Sequence, residues 1–143
     1  MNCICFVAGS AKLETWDALR ASEVFLRPSS YEICGIRVAD ALSAGTPVLM
    51  STGVAIWKDI VNDEAGYADD LTPEGMARLL RRWIDLSREE REAFRQRAKQ
   101  CFDGRYTLDG AAHTLTSAIY LLVGVHRDGR WDFKPLKPGA ELA

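Results

Sequence analysis

Groups that bind metal ions or form disulfides are scarce in this sequence. Its 143 residues include only two histidines and four cysteines. The cysteines, which are Cys3, Cys5, Cys34 and Cys101, show no Cys-x-x-Cys spacing and are too sparse for a disulfide scaffold. Cys3 and Cys5 alternate along a predicted strand, as two ligands on one face would, but no second ligand cluster accompanies them. We therefore predict reduced thiols, no metal site and no cofactor.

The sequence also lacks a large excess of charge of one sign, and it lacks long apolar runs. Twenty acidic and eighteen basic residues give a net charge of −2, and neither sign forms a long run. Because nucleic-acid binding needs a basic stripe, we expect no nucleic-acid partner. No run approaches the roughly 20 consecutive apolar residues that cross a bilayer, and no basic region precedes an apolar one at the amino terminus. The sequence predicts a cytoplasmic protein without a transmembrane segment.

The motifs of several common enzyme classes are also missing. No serine lies in a Gly-x-Ser-x-Gly elbow, which argues against a hydrolase nucleophile. The phosphate-binding P-loop and the dinucleotide fingerprint do not occur either. The sequence therefore gives no indication of a serine hydrolase, a P-loop enzyme or a dinucleotide-binding enzyme.

The sequence does contain an alternation of apolar runs and amphipathic stretches over its first seventy residues. Strands are predicted at 2–8, 23–27 and 48–50, helices at 13–21, 36–44 and 54–61, and a turn at 62–66. Alternation with short connections is typical of parallel strands joined by helical crossovers.

Helices dominate the sequence after residue 70. Thr72 and Pro73 form a helix start, and Ser87 with Glu90 forms a capping box that opens a heavily charged helix. A third helix is predicted at 108–123. From residue 126 onward no period is visible, so this tail is either an ordered arm or a frayed end.

These patterns together predict an α/β fold. We expect a partial Rossmann-like parallel sheet of three or four strands, followed by a helical carboxyl-terminal segment. The expected division is a domain at 1–125 and a tail at 126–143.

The most informative segment spans residues 28–50. Glu32 lies in a loop after a strand, where its carboxylate could accept hydrogen bonds from sugar hydroxyls or could simply be solvated. Gly35 and Ile36 open a helix whose free N–H groups and dipole suit a phosphate. Asp40 is the acid in an otherwise apolar helical run, so it needs a partner. That partner is either a ligand, such as a ribose diol or a cation, or Arg37 in an ordinary surface ion pair.

The same segment carries a family resemblance, which covers about residues 6–120. The order Pro-Ser, Glu32, Gly35, Asp40 and then Gly45-Thr-Pro-Val resembles the signature of the carboxyl-terminal donor-binding domain of group-one retaining glycosyltransferases, which have the GT-B fold. The resemblance implies that Glu32 contacts the donor sugar and that Asp40 binds ribose in place of a family glutamate. Backbone N–H groups of Gly35 and Ile36 would bind the donor diphosphate. The implied donor-binding residues are Glu32, Ile33, Cys34, Gly35, Ile36 and Asp40, with Ile33 and Cys34 replacing a glycine and an aromatic residue of the family.

The resemblance also implies an activity. Family members transfer a sugar from a nucleoside diphosphate sugar to an acceptor hydroxyl, and they carry an acceptor domain and a basic phosphate-binding loop ahead of this segment. We therefore expect an incomplete enzyme that is inactive alone and needs a partner chain, or self-association, to supply the acceptor domain. The alternative is a non-catalytic interaction module on a glycosyltransferase-like scaffold that docks on a partner subunit.

Overall fold

The computed structural model describes residues 12–107, 109, 110, 112, 115, 125–127 and 130–132. Residues 12–14, 125–127 and 130–132 are described by their backbone alone. The chain divides into two compact units, Met1–Asp103 and Gly104–Ala143. The predicted strand at 2–8 and most of the predicted helix at 108–123 lie outside the described residues. The predicted domain boundary at 125/126 stays a prediction.

Strands and helices alternate in the first unit, as the sequence predicts. In chain order the elements are α1 (Lys12–Ala21), β1 (Phe25–Arg27), α2 (Ile36–Ser43), β2 (Val48–Ser51), α3 (Trp57–Asn62), β3 (Gly66–Asp69), α4 (Pro73–Ile84) and α5 (Arg88–Arg105). A short antiparallel pair, β4 (Val125–Arg127) and β5 (Arg130–Asp132), lies in the second unit. The predicted tail at 126–143 thus includes residues of two paired strands.

The sheet of the first unit is parallel, with the strand order β1-β2-β3. Phe25 is in register with Val48, and Val48 with Gly66. All three strands therefore end at the same edge, where Arg27, Ser51 and Asp69 are the last residues. This confirms the predicted α/β fold with a partial Rossmann-like sheet. Ligands of such sheets bind at the carboxyl ends of the strands.

Two elements differ from their predictions because long-range pairing overrides the local pattern. Strand β3 is not predicted, since glycine and aspartate are disfavoured in strands, yet its residues pair with β2. Helix α3 begins at Trp57 rather than at residue 54, because Val54 instead forms a parallel bridge with Glu32.

The core lies on both faces of the sheet. One face carries a row of side chains from Leu26, Leu49 and Tyr67, which are in register and belong to a cluster with Leu79, Trp83 and Phe94 of α4 and α5. Side chains alternate along a strand, so Val48 and Met50 point to the other face. Both are fully buried, and α2 and α3 contact β2 as well.

Local signals in the sequence set the helix boundaries. The Thr72 hydroxyl accepts a hydrogen bond from the Gly75 N–H at 3.0 Å, which caps α4. The Ser87 and Glu90 box is confirmed, because each side chain accepts a hydrogen bond from the other residue's N–H. Gly45, with φ of 72°, lies just past the end of α2, where glycine readily adopts a left-handed backbone. Among the described residues, no helix is long and apolar enough to span a membrane.

Candidate functional site

The predicted site begins in the loop at 28–35, which joins β1 to α2 at the carboxyl edge of the sheet. Ser51, the last residue of β2, anchors the start of this loop. Its hydroxyl accepts a hydrogen bond from the Ser29 N–H at 2.9 Å and donates one to the Ser29 carbonyl. Ser51 is fully buried. The start of the loop is therefore fixed to the central strand.

The turn after β2 supports the middle of the same loop. The Glu32 N–H donates to the Gly53 carbonyl at 3.0 Å, and the Ala55 N–H donates to the Glu32 carbonyl at 2.8 Å. A Cβ at position 53 would overlap the carbonyls of Ser29 and Ser30, so glycine permits this close approach. The backbone of Glu32 is thus held from two directions.

The Glu32 side chain is paired with the end of β1. The Nε atom of Arg27 donates to Oε2 of Glu32 at 2.6 Å. Only 14% of the Glu32 side chain is exposed, compared with 38% for Arg27. Glu32 is therefore not a solvated loop acid. Arg27 is not among the predicted site residues, and its one signal in the sequence is a charge that ends a mostly apolar strand.

Gly35 is buried and forms the N-cap of α2. Its backbone lies in the left-handed region, with φ of 57° and ψ of 27°. No side chain caps this helix, and its first turn contains no acidic residue. The first hydrogen bond into the helix runs from the Ala39 N–H to the Gly35 carbonyl at 2.9 Å. The preceding N–H groups, together with the positive end of the helix dipole, form the predicted anion-binding position.

The remaining side chains around this position point to solvent. Ile33 is 63% exposed, Ile36 is 66% exposed, and Cys34 is an exposed thiol. Tyr31, which precedes them, is 76% exposed. The helix start is thus bordered by apolar surface, and the predicted contacts of Gly35 and Ile36 are limited to their backbone.

Asp40 lies one turn after Ile36 on the same face of α2. Its carboxylate contacts an Nη atom of Arg37 at 3.4 Å, at the long limit for a hydrogen bond. The Asp40 side chain is 26% exposed and that of Arg37 is 58% exposed. The surface ion pair of Asp40 with Arg37, one of the two alternatives that the sequence allows, is therefore present, although the contact is weak.

A group of three or more histidine, cysteine, aspartate or glutamate side chains that could hold a metal ion does not occur among the described residues. The chemical groups that the site offers are two carboxylates, uncapped backbone N–H groups and two guanidinium groups. Such a set suits a ligand that has both hydroxyl groups and an anionic group.

Comparison with known proteins identifies the family. The family model described as glycosyl transferases group 1 matches residues 2–101, which is more than two thirds of the chain and includes the whole candidate site. No curated protein and no solved structure matches the chain. The chain belongs to the group 1 glycosyl transferase family.

Proposed function

We propose that this chain binds a nucleoside diphosphate sugar at loop 28–35 and the start of α2, as the donor for glycosyl transfer to an acceptor hydroxyl. Membership of the family supports glycosyl transfer in general. One observation carries the proposal for the donor site: an uncapped helix start follows directly after a carboxylate that is held in place. This arrangement offers an anion site and a hydroxyl-binding group side by side.

The donor diphosphate would bind at the start of α2. Backbone N–H groups and the helix dipole favour negative charge there, by about 0.3–1 kcal/mol for an exposed group. The same groups would stabilise the diphosphate as its charge grows during departure from the sugar. Gly35 contributes because its left-handed backbone turns the chain into the helix without a side chain over the N–H groups.

The sugar would bind at Glu32. Arg27 occupies Oε2, and a carboxylate has a second oxygen with lone pairs available to hydroxyl donors. The exposed side chains of Ile33, Cys34 and Ile36 would border the donor with apolar surface.

The ribose would bind at Asp40. Its contact with Arg37 is long, and ion pairs at this helical spacing stabilise by only about 0.2–0.5 kcal/mol. A ribose diol could therefore replace Arg37 at little cost.

Titration calorimetry with a panel of UDP-, GDP- and ADP-sugars tests this proposal. We expect millimolar or tighter binding of at least one donor, weakened by Glu32→Gln and by Asp40→Asn. Glu92→Gln, an exposed acid on α5, is the matched control and should leave affinity unchanged. Binding that survives both site variants would defeat the site assignment, and no binding by the wild type would defeat the proposal itself.

A second candidate function is docking on a partner subunit, for example one that supplies the acceptor domain. Three large apolar side chains, Tyr31, Ile33 and Ile36, are exposed within six residues of one another. Clustered exposed apolar groups are typical of interaction surfaces. Light scattering over a range of concentrations would detect self-association. A strict monomer that binds a donor would favour the first function.

A further inference from the structure

We infer that Arg27 is a positioning residue that makes the site selective for the sugar part of the donor, through its hydrogen bond to Glu32. This inference rests on the proposed function, because it concerns the same donor site. It goes further by assigning a task to a residue outside the predicted set.

The backbone of Arg27 is held in the sheet and is therefore fixed more firmly than that of a loop residue. It is the last residue of β1, and its backbone is in register with Met50 of the fully buried strand β2. Pro28 follows directly and restricts the backbone of Arg27 to extended conformations. The guanidinium therefore projects from a fixed point toward the loop that it contacts.

The contact fixes the one part of Glu32 that the backbone leaves free. The Glu32 main chain is held by Gly53 and Ala55, but three side-chain torsions would otherwise let the carboxylate move. A charge-assisted hydrogen bond of 2.6 Å restricts those torsions. It occupies Oε2, and among the described residues this is the only side-chain hydrogen bond that Glu32 makes. Oε1 is thereby presented in one orientation.

A carboxylate held in one orientation discriminates better than a mobile one. A sugar hydroxyl donates its hydrogen bond in a particular direction. A carboxylate oxygen held in a fixed position therefore favours nucleotide sugars whose hydroxyl lies in the matching position. The diphosphate, by contrast, would bind at the start of α2 and would not depend on the Glu32 torsions. Arg27 should therefore raise the affinity for the nucleotide sugar without changing the affinity for the free nucleoside diphosphate.

The test compares two ligands in a double-mutant cycle. Dissociation constants for a nucleotide sugar and for its nucleoside diphosphate would be measured with the wild type, R27M, E32A and R27M/E32A. We expect R27M to raise the dissociation constant of the nucleotide sugar about tenfold and to change that of the nucleoside diphosphate by less than about twofold. In the E32A background, which has no side-chain acceptor for Arg27, R27M should have no further effect on the affinity for either ligand. R81M, which removes an exposed arginine on α4, is the control.

Each other outcome overturns the inference. If R27M weakened the binding of both ligands equally, Arg27 would either contact the diphosphate directly or only maintain the fold. An unchanged affinity for both would mean that the pair has no role in binding. If R27M does not fold, R27L replaces it, since leucine also lacks a hydrogen-bond donor and is tolerated in a β-strand, and the same selective loss is expected. Failure of the wild type to bind any nucleotide sugar would instead overturn the proposed function, and this inference with it.

Discussion

Gly35 lies against the side chain of Ile56 with its backbone at φ 57°, so that a Cβ at position 35 would overlap the Cδ1 atom of Ile56. Left-handed backbone costs a residue with a side chain about 1–2 kcal/mol. We therefore expect Gly35→Ala to lower the free energy of unfolding by about 1–2 kcal/mol and to weaken donor binding. Urea unfolding and titration calorimetry would measure the two effects.

Gly104→Ala is the matched control for that substitution. Gly104 lies in α5, and a Cβ there would meet nothing within 4 Å. Alanine in a helix is favoured over glycine, so this variant should raise the free energy of unfolding by about 0.5 kcal/mol. Equal effects of the two variants would contradict the conformational explanation.

The hydrogen bonds of Ser51 make a second prediction. Ser51→Ala removes the hydroxyl that pairs with both the N–H and the carbonyl of Ser29. Leaving such groups without partners costs about 1–3 kcal/mol, and the loop that carries Glu32 should loosen. We expect lower stability in urea and weaker donor binding.

Ser29→Ala provides the comparison for Ser51. The Ser29 hydroxyl makes only an exposed contact with the Tyr31 carbonyl at 3.3 Å, while the backbone of Ser29 keeps both bonds to Ser51. This variant should be close to the wild type in stability. A loss as large as that of Ser51→Ala would show that the stability of the loop does not depend specifically on the hydrogen bonds between Ser51 and the backbone of Ser29.

The features that could be predicted from the sequence depend on residues within four positions of each other. The caps at Thr72 and Ser87 and the ion pair of Arg37 with Asp40 are of this kind. Local chemistry decides them, so short motifs are sufficient to indicate them. The alternation of strands and helices is similarly visible in local apolar patterns.

The features that could not be predicted depend on distant segments. Strand β3 exists because β2 pairs with it, and α3 starts late because Val54 pairs with Glu32. The burial of Glu32 depends on the rotamer of Arg27 and on the path of a loop held by Ser51. No motif encodes such contacts. The resemblance therefore predicts the candidate site residues, but not how the carboxylate of Glu32 is held.

Cys34 offers a third prediction, based on its exposure beside the helix start. A thiol reagent should modify Cys34 in the folded protein, and a bound nucleotide sugar should cover it. We expect modification to slow about tenfold at a donor concentration of about ten times Kd. Peptide mass spectrometry would follow this site separately.

Two controls accompany the labelling experiment. Cys101 is only 4% exposed and should remain unmodified until the protein unfolds. A free sugar without the nucleotide should not protect Cys34. Unchanged labelling of Cys34 at donor saturation would place the donor elsewhere on the chain.

Asp69 at the end of β3 gives a pH-dependent prediction. A hydrogen bond from the Arg78 side chain, helped by one from the Asp70 N–H, lowers the pKa of Asp69 below its ordinary value of 3.8. A lowered pKa means that the ionised form stabilises the fold above pH 3.8, and that this contribution disappears as pH falls through the lower folded value. The stability advantage of the wild type over Asp69→Asn should therefore shrink in acid.

Urea unfolding from pH 6 down to about pH 2.5 would measure this difference. Asp70→Asn is the control, because it keeps the backbone N–H and leaves the ion pair of Asp69 with Arg78 intact. The pKa of Glu90 is also lowered, chiefly by the Ser87 N–H, but this affects all three proteins equally. A pH-independent difference between wild type and Asp69→Asn would contradict the prediction.

Strand β2 has a consequence for amide hydrogen exchange. All four of its residues are fully buried, and it pairs with a neighbour on each side. Its amides should exchange with solvent only when the whole unit unfolds, whereas the uncapped amides at the start of α2 should exchange rapidly. Because Ser51 ties the start of loop 28–35 to this buried strand, we expect most of the entropy loss of ordering the loop to occur during folding, before any ligand binds.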